Sequence, residues 1–338
     1  MNKNAMHLKT LAVAMAAIGL AQPALAVLDS VGPVDPVNGY PQWYMDRNGV
    51  ALELCVNNNA TVLAAGGCVI LPAAPPAGVQ TVPEVFPNNW ALEHFYTLAS
   101  AKITAAGLNG AGVPAAGAGK ITFNLSLEGS FSTPVPTAGQ QIVFNRWRVF
   151  HVNPPCTGNY TYYTPNNAPQ IFAAAGDKVF ETSDIGVGTF TGPLAGTTGP
   201  FLLASATPGG APSAAFVGPD GKRYIQDYNL VAGTAVTGST LPNPLLASTK
   251  AWIPAAIKAM PFSNYMLVEG PGVSTGNCAA TESVSTTNSI NLFGRYFDGA
   301  IATPTRVDRA TFTAVDTNND GTPDSFVVGA AGSPVTRL

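Results

Sequence analysis

The strongest chemical signal in the chain lies near its C-terminus. The run Asp316-Thr317-Asn318-Asn319-Asp320-Gly321-Thr322-Pro323-Asp324 fits D-x-N-x-D-G-x-x-D. Side-chain oxygens of Asp316, Asn318, Asp320 and Asp324, with a carbonyl at Thr322, are spaced to wrap a hard cation such as Ca2+. Gly321 permits the sharp turn that gathers them. The three carboxylates repel one another unless a cation sits between them. A complete EF-hand needs a bidentate Glu at the twelfth position, where Val327 stands. The alternative is a solvated Asn/Asp turn between two strands. The spacing favours Ca2+ in a structural role, clamping a hairpin.

Other candidates are weaker. Gly272-Val273-Ser274-Thr275-Gly276 matches G-x-S-x-G. A nucleophile elbow needs a helix immediately after the serine, plus His and an acid. Here Asn277-Cys278 follows, and beyond the first 26 residues only His94 and His151 remain, both ahead of the serine. That excludes the Ser-acid-His order of the α/β-hydrolases. His94 and His151 show no metal-ligand spacing. Glu93, Glu128 and Glu269 are the residue type that serves as acid and base in glycosidases, yet no spacing brings two of them together. Asp184 reads as a turn cap. Trp43, Tyr44, Trp90 and Trp147 are candidates for a sugar platform, although at least half of such rings belong in a core. The sequence therefore assigns no catalytic residue.

These groups must be positioned by a chain with an export leader. Met1–Ala26 carries Lys3 and Lys9, an uncharged apolar run from Leu11 to Leu20, and Ala24-Leu25-Ala26 as a small-x-small cleavage site. The apolar run is too short to span a bilayer, and no later segment is apolar enough to do so. Removing the leader takes the formal charge from −3 to −5, because Lys3 and Lys9 go with it. An acidic chain gives no electrostatic reason to bind nucleic acid. The remaining residues, 27–338, are expected to form one continuous β-rich unit, with a weaker boundary conceivable in the loop-rich 205–240. Charged residues make up 10% of the chain, against a usual ~25%, so the surface must be largely Thr, Ser, Asn, Gly and Ala. The four cysteines in an exported chain argue for two disulfides, for which three connectivities exist. Cys55 and Cys68 flank an Asn/Gly-rich loop, which favours Cys55–Cys68 and leaves Cys156–Cys278.

Ile121–Leu127 alternates as a strand does, and so does Ile142–Val152, with Arg146 and Arg148 on one face and Trp147 and Val149 on the other. Asn48-Gly49 between two apolar runs marks a hairpin. Trp90–Ile103 is ambiguous by periodicity. Thr104–Gly119, rich in small residues, reads as a turn region, residues 71–88 as an extended Pro-rich connection and Lys250–Met260 as a short helix. Many short strands separated by Gly/Pro-rich loops predict a mainly β protein, a β-sandwich of immunoglobulin or jelly-roll type. Ala51–Leu54, Ile121–Leu127 and Ser289–Leu292 lack Lys and Arg. As sheet edges they would be unguarded and would favour self-association.

In order along the chain, Asn38-Gly39-Tyr40-Pro41 with Trp43-Tyr44, Leu52-Glu53-Leu54-Cys55, Gly158-Asn159-Tyr160-Thr161, Asp184-Ile185-Gly186, Gly199-Pro200-Phe201-Leu202 and Val268-Glu269-Gly270-Pro271-Gly272 resemble motifs of a group of exported bacterial β-rich proteins without an assigned function, some of them carrying immunoglobulin-like modules. The C-terminal loop resembles the calcium loops of integrin-type and thrombospondin type 3 repeats. The first resemblance implies one continuous β unit and a strand at Trp90–Ile103; it supplies no catalytic residues. The expectation is an exported, non-catalytic structural, adhesive or binding protein of the periplasm, cell surface or medium. Its partner is a second copy or a surface component. The alternative is a secreted hydrolase of an extracellular polymer.

Overall fold

A computed structural model describes residues 28–56, 59–64, 68, 70–71, 83–165, 167–196, 200–205, 213–225, 236–238, 249–251, 253–259, 265–279, 283–287, 290–301, 305–315 and 325–334. The protein is mainly β, with 47% strand and 4% helix. It divides into two compact units, Met1–Phe297 and Asp298–Leu338. Much of the 205–240 stretch lies outside the described residues.

The strands are β1 (Leu28–Val31), β2 (Tyr44–Asp46), β3 (Ala51–Glu53), β4 (Ile70–Leu71), β5 (Glu93–Leu108), β6 (Pro114–Phe131), β7 (Gln141–Val152), β8 (Gly158–Tyr163), β9 (Gln170–Ala173) and β10 (Lys178–Ile185). There follow β11 (Leu203–Ser205), β12 (Phe216–Val217), β13 (Arg223–Tyr224), β14 (Val236–Gly238), β15 (Met266–Gly270), β16 (Ser283–Thr287), β17 (Asn291–Tyr296), β18 (Thr305–Val315) and β19 (Ser325–Pro334). Two short helices, α1 (Ala60–Ala64) and α2 (Ala255–Lys258), complete the described elements with a 3-10 turn at Gly192–Ala195.

The larger unit is an antiparallel sandwich. Its main sheet runs β1-β2-β3-β17-β5-β6-β7-β10, and a second sheet runs β16-β15-β8-β9. Strand alternation decides which face meets the core. Ile121, Phe123, Leu125 and Leu127 of β6 and Trp147 and Val149 of β7 are buried, together with Tyr160 and Tyr162 of β8 and Met266 and Val268 of β15. Phe123 meets Tyr162 with ring centroids 6.2 Å apart, which joins the two sheets. Each fully buried apolar side chain of this size stabilises by about 1.5–3 kcal/mol. The core is rich in tyrosine, and its hydroxyls are satisfied. Tyr40 donates to the Ser130 carbonyl at 2.6 Å, Tyr44 to Phe190 at 2.7 Å and Tyr96 to Pro41 at 2.5 Å. Burial raises the pKa of all three, so they stay neutral.

Both disulfides form as the spacing suggested, Cys55–Cys68 and Cys156–Cys278. The Asn48-Gly49 hairpin closes β2 on β3, with Gly49 at φ 79° and Asp46 Oδ1 accepting from the Asn48 and Val50 amides.

Three expectations change. Thr104–Gly119 is not a turn region: β5 and β6 run through it, and the turn is confined to Asn109–Val113, held by the Asn109 side chain. The small residues are there because the backbones crowd. A Cβ on Gly119 would stand 2.3 Å from the Ala106 carbonyl oxygen, and one on Gly107 would stand 2.6 Å from that of Asn153. Asp184 caps no turn but sits in β10 opposite Arg146. Two of the strands expected to be bare edges are interior, and the described part of the third is paired on one side. β6 lies between β5 and β7, β3 between β2 and β17, and Asn291–Leu292 pairs with β5. The main sheet ends instead at β1 and at β10, which carries Lys178, Glu181 and Asp184.

The smaller unit is the β18–β19 hairpin, paired from Thr305↔Pro334 to Val315↔Ser325. Asp316, Asn318, Asp320, Thr322 and Asp324 all lie in 316–324, outside the described residues. Among the described residues no helix is long and apolar enough to cross a membrane.

Candidate functional site

The residues with chemical potential gather on the outer face of the main sheet, away from the second sheet. Cross-strand partners share a face, so the register alone builds this surface. Leu98, Ser126, Arg146 and Asp184 form one row across β5, β6, β7 and β10. Ser100, Asn124, Arg148 and Thr182 form the next. Neither bulge of the β5–β6 ladder falls within these rows.

At the protected end of this face is an ionic cluster. Arg146 Nη1 donates to Glu128 Oε2 at 2.8 Å, and its Nε and Nη2 grip the two oxygens of Asp184 at 2.7 Å each. Such a bidentate fork fixes a guanidinium as well as binding it. Ser126, fully buried, donates to Glu128 Oε1 at 2.5 Å. Burial raises the Glu128 pKa to about 7, against the lowering pull of Arg146 and the Ser126 hydrogen bond; Glu93 adds to the rise. The Arg146 hydrogen bond holds the Asp184 pKa below the usual carboxylate range. The register sets Phe95 opposite Glu128 and Glu93 diagonally across from it, close enough to add to the rise in the Glu128 pKa, a proximity that sequence spacing did not reveal.

The remaining candidates are scattered. Ser274 follows a strand as expected, but the chain after it turns into the Cys156–Cys278 bridge instead of entering a helix. No described contact joins Ser274 to His94 or His151. His94 Nε2 lies 3.1 Å from both oxygens of Glu84, fully buried beneath Trp90. His151 Nδ1 lies 2.9 Å from the Tyr162 hydroxyl, and burial lowers its pKa to about 4. Glu269 accepts from Lys250 Nζ at 2.7 Å and from the Tyr163 hydroxyl at 2.8 Å. Trp43, Tyr44, Trp90 and Trp147 are all buried, so none is a sugar platform. Among the described residues no three His, Cys, Asp or Glu side chains gather as a metal site.

Two clefts flank the turn at 34–42. One, of about 620 Å3, is lined by Val34, Val37, Phe86, Ile142, Val187 and Phe190 with no charged side chain. The other, of about 530 Å3, contains Glu53, Glu84, Trp90, Lys222 and Arg295. Arg295 is held inside it: its Nε is 2.6 Å from Glu53, and its Nη atoms donate to the Leu54 and Val56 carbonyls. Glu84 was missed by sequence reasoning because it sits in the Pro-rich connection, where nothing marks it as the partner of His94.

The fold and site together define an antiparallel β-sandwich with an open, polar outer face braced by one arginine. Comparison with known protein families, with curated proteins and with solved structures finds no match.

Proposed function

We propose that the chain is an exported, non-catalytic structural, adhesive or binding β protein of the bacterial cell surface or extracellular space. One observation carries this reading: most of the side chains with catalytic potential are already occupied as struts. Glu128 is held between Ser126 and Arg146, Asp184 in the Arg146 fork, His94 against Glu84, His151 against Tyr162, and Glu269 between Lys250 and Tyr163. A general acid must reach the atom it protonates, and neither oxygen of Glu128 is free to do so. The leader-like Met1–Ala26, the two disulfides and the resemblance to exported bacterial β-rich proteins support the location.

A secreted hydrolase is the second reading, favoured by the raised pKa of Glu128 beside Glu93. Activity-based probes separate the two. A serine-reactive phosphonate and an epoxide probe for glycosidase carboxylates should both leave the protein unlabelled. Stoichiometric labelling of Ser274, Glu93 or Glu128 overturns the non-catalytic reading.

Structural Ca2+ at Asp316, Asn318, Asp320, Thr322 and Asp324 belongs to the same proposal. Its support is the ladder beside it: Val315 pairs with Ser325, so the nine residues of the loop start and finish on adjacent strands, as a wrapping loop requires.

A further inference from the structure

Beyond the ionic cluster, the outer face of β5, β6, β7 and β10 opens to solvent and changes character. Thr104, Lys120, Val152 and Lys178 form one row, Lys102, Thr122, Phe150 and Phe180 the next, and Ser100, Asn124, Arg148 and Thr182 the third. Lys102, Lys120, Lys178 and Phe180 are exposed, while Thr122, Asn124, Arg148 and Phe150 are half-buried. Five of the fourteen Lys and Arg beyond the leader (sixteen less Lys3 and Lys9) therefore sit on this one face of an acidic chain. Arg146 is spent on Glu128 and Asp184. Among the described residues, Lys102, Lys120, Arg148 and Lys178 have no carboxylate within ion-pair distance. Arg148 instead lies 5.3 Å from the Phe180 ring centroid, and Phe180 meets Phe150 edge to face.

We propose that this face binds an acidic polysaccharide, with Lys102, Lys120, Arg148 and Lys178 as its cationic contacts, Thr122, Asn124 and Thr182 as hydroxyl partners and Phe180 as a stacking ring. The inference rests on the binding reading above and supplies its ligand class. Charge complementarity carries it: Lys102, Lys120 and Lys178 make no ion pair among the described residues, and Arg148 feels Asp184 and Glu128 only at a distance, so the face suits an anionic partner. The spacing of the cations selects among anions. Neighbouring strands are ~4.8 Å apart and alternate residues ~6.8 Å apart, so these cations stand roughly 8–16 Å from one another. A polynucleotide carries a phosphate every ~3.4 Å along each strand, most of which would face a net acidic protein unneutralised. A sugar polymer with one carboxylate per residue or fewer carries its charge more sparsely than a duplex, and its hydroxyls match the Thr and Asn side chains between the cations. The open face accepts an extended chain.

Polygalacturonate is the probe, against neutral dextran, a single-stranded oligonucleotide and phosphatidylglycerol vesicles. The full chain is expected to bind polygalacturonate in preference to all three, with affinity falling about tenfold between low salt and ~0.3 M NaCl as screening weakens the contacts. The triple variant Lys102→Gln, Lys120→Gln, Lys178→Gln, at exposed positions, should keep the melting temperature and lose about tenfold in affinity. Unchanged binding by that variant, tighter binding to the oligonucleotide or vesicles, or no binding to polygalacturonate overturns the proposal. Dextran bound equally well, and lost only with Phe180→Ser, overturns the acidic class while leaving the binding reading intact; labelling by the probes named above overturns that reading independently.

Discussion

Arg146 and Glu128 show how a polar cluster on a sheet face becomes part of the scaffold. The Asp184 fork fixes the guanidinium, which then serves Glu128, a carboxyl that burial keeps protonated up to about pH 7. An unfolded glutamate releases its proton near pH 4.3. The folded state thus binds more protons between those values. The stability this gives is complete below about pH 4.3 and is lost as the pH rises through about 7. Glu128→Gln, which imitates the protonated acid, should match the wild type near pH 4 and exceed it at pH 8, by a margin on the order of 3 kcal/mol. Urea unfolding at pH 4, 6 and 8 measures this, and a margin that stays constant with pH rejects the assignment. The alternation of β7 made the shared face of Arg146 and Arg148 legible in the sequence. The Arg146–Asp184 fork was not legible, because 38 residues, including two strands of the other sheet, separate the partners in sequence.

At the scale of elements, regular alternation was readable and crowding was not. Ile121–Leu127 and Ile142–Val152 announce their inner and outer faces residue by residue. Thr104–Gly119 looks like a loop because its small residues are those a tight backbone approach demands, and the same residues are those a turn prefers. The ion-pair-free lysines of the outer face share that fate: Lys102, Lys120 and Lys178 lie on three strands whose neighbours only the register defines. The β18–β19 hairpin is the element on which the calcium proposal bears. A two-stranded ribbon is marginal in water by itself, so an ion joining the ends of its loop should contribute measurably. Millimolar Ca2+ should raise the hairpin's protection from amide hydrogen exchange, chelation should reverse this, and Asp320→Ala should abolish the response. Exchange that is indifferent to Ca2+ and chelator sinks the proposal.

Across the larger unit, stability depends on joining segments distant in sequence. Cys156–Cys278 closes a loop of 122 residues and Cys55–Cys68 one of 13. Chain entropy predicts that removing the first costs about 4–5 kcal/mol and the second about 3. Replacing each pair by alanine and measuring urea midpoints should reproduce that order; equal or reversed losses would show that local packing outweighs loop closure here. The same long connections set a schedule. β17 lies between β3 and β5 although roughly 240 residues separate Glu53 from Asn291. At about 5–20 residues per second, β3 waits on the order of 10–50 s after its own synthesis for that neighbour to exist. The main sheet therefore cannot be completed until almost the whole larger unit has been made, although β5, β6, β7 and β10 can pair long before.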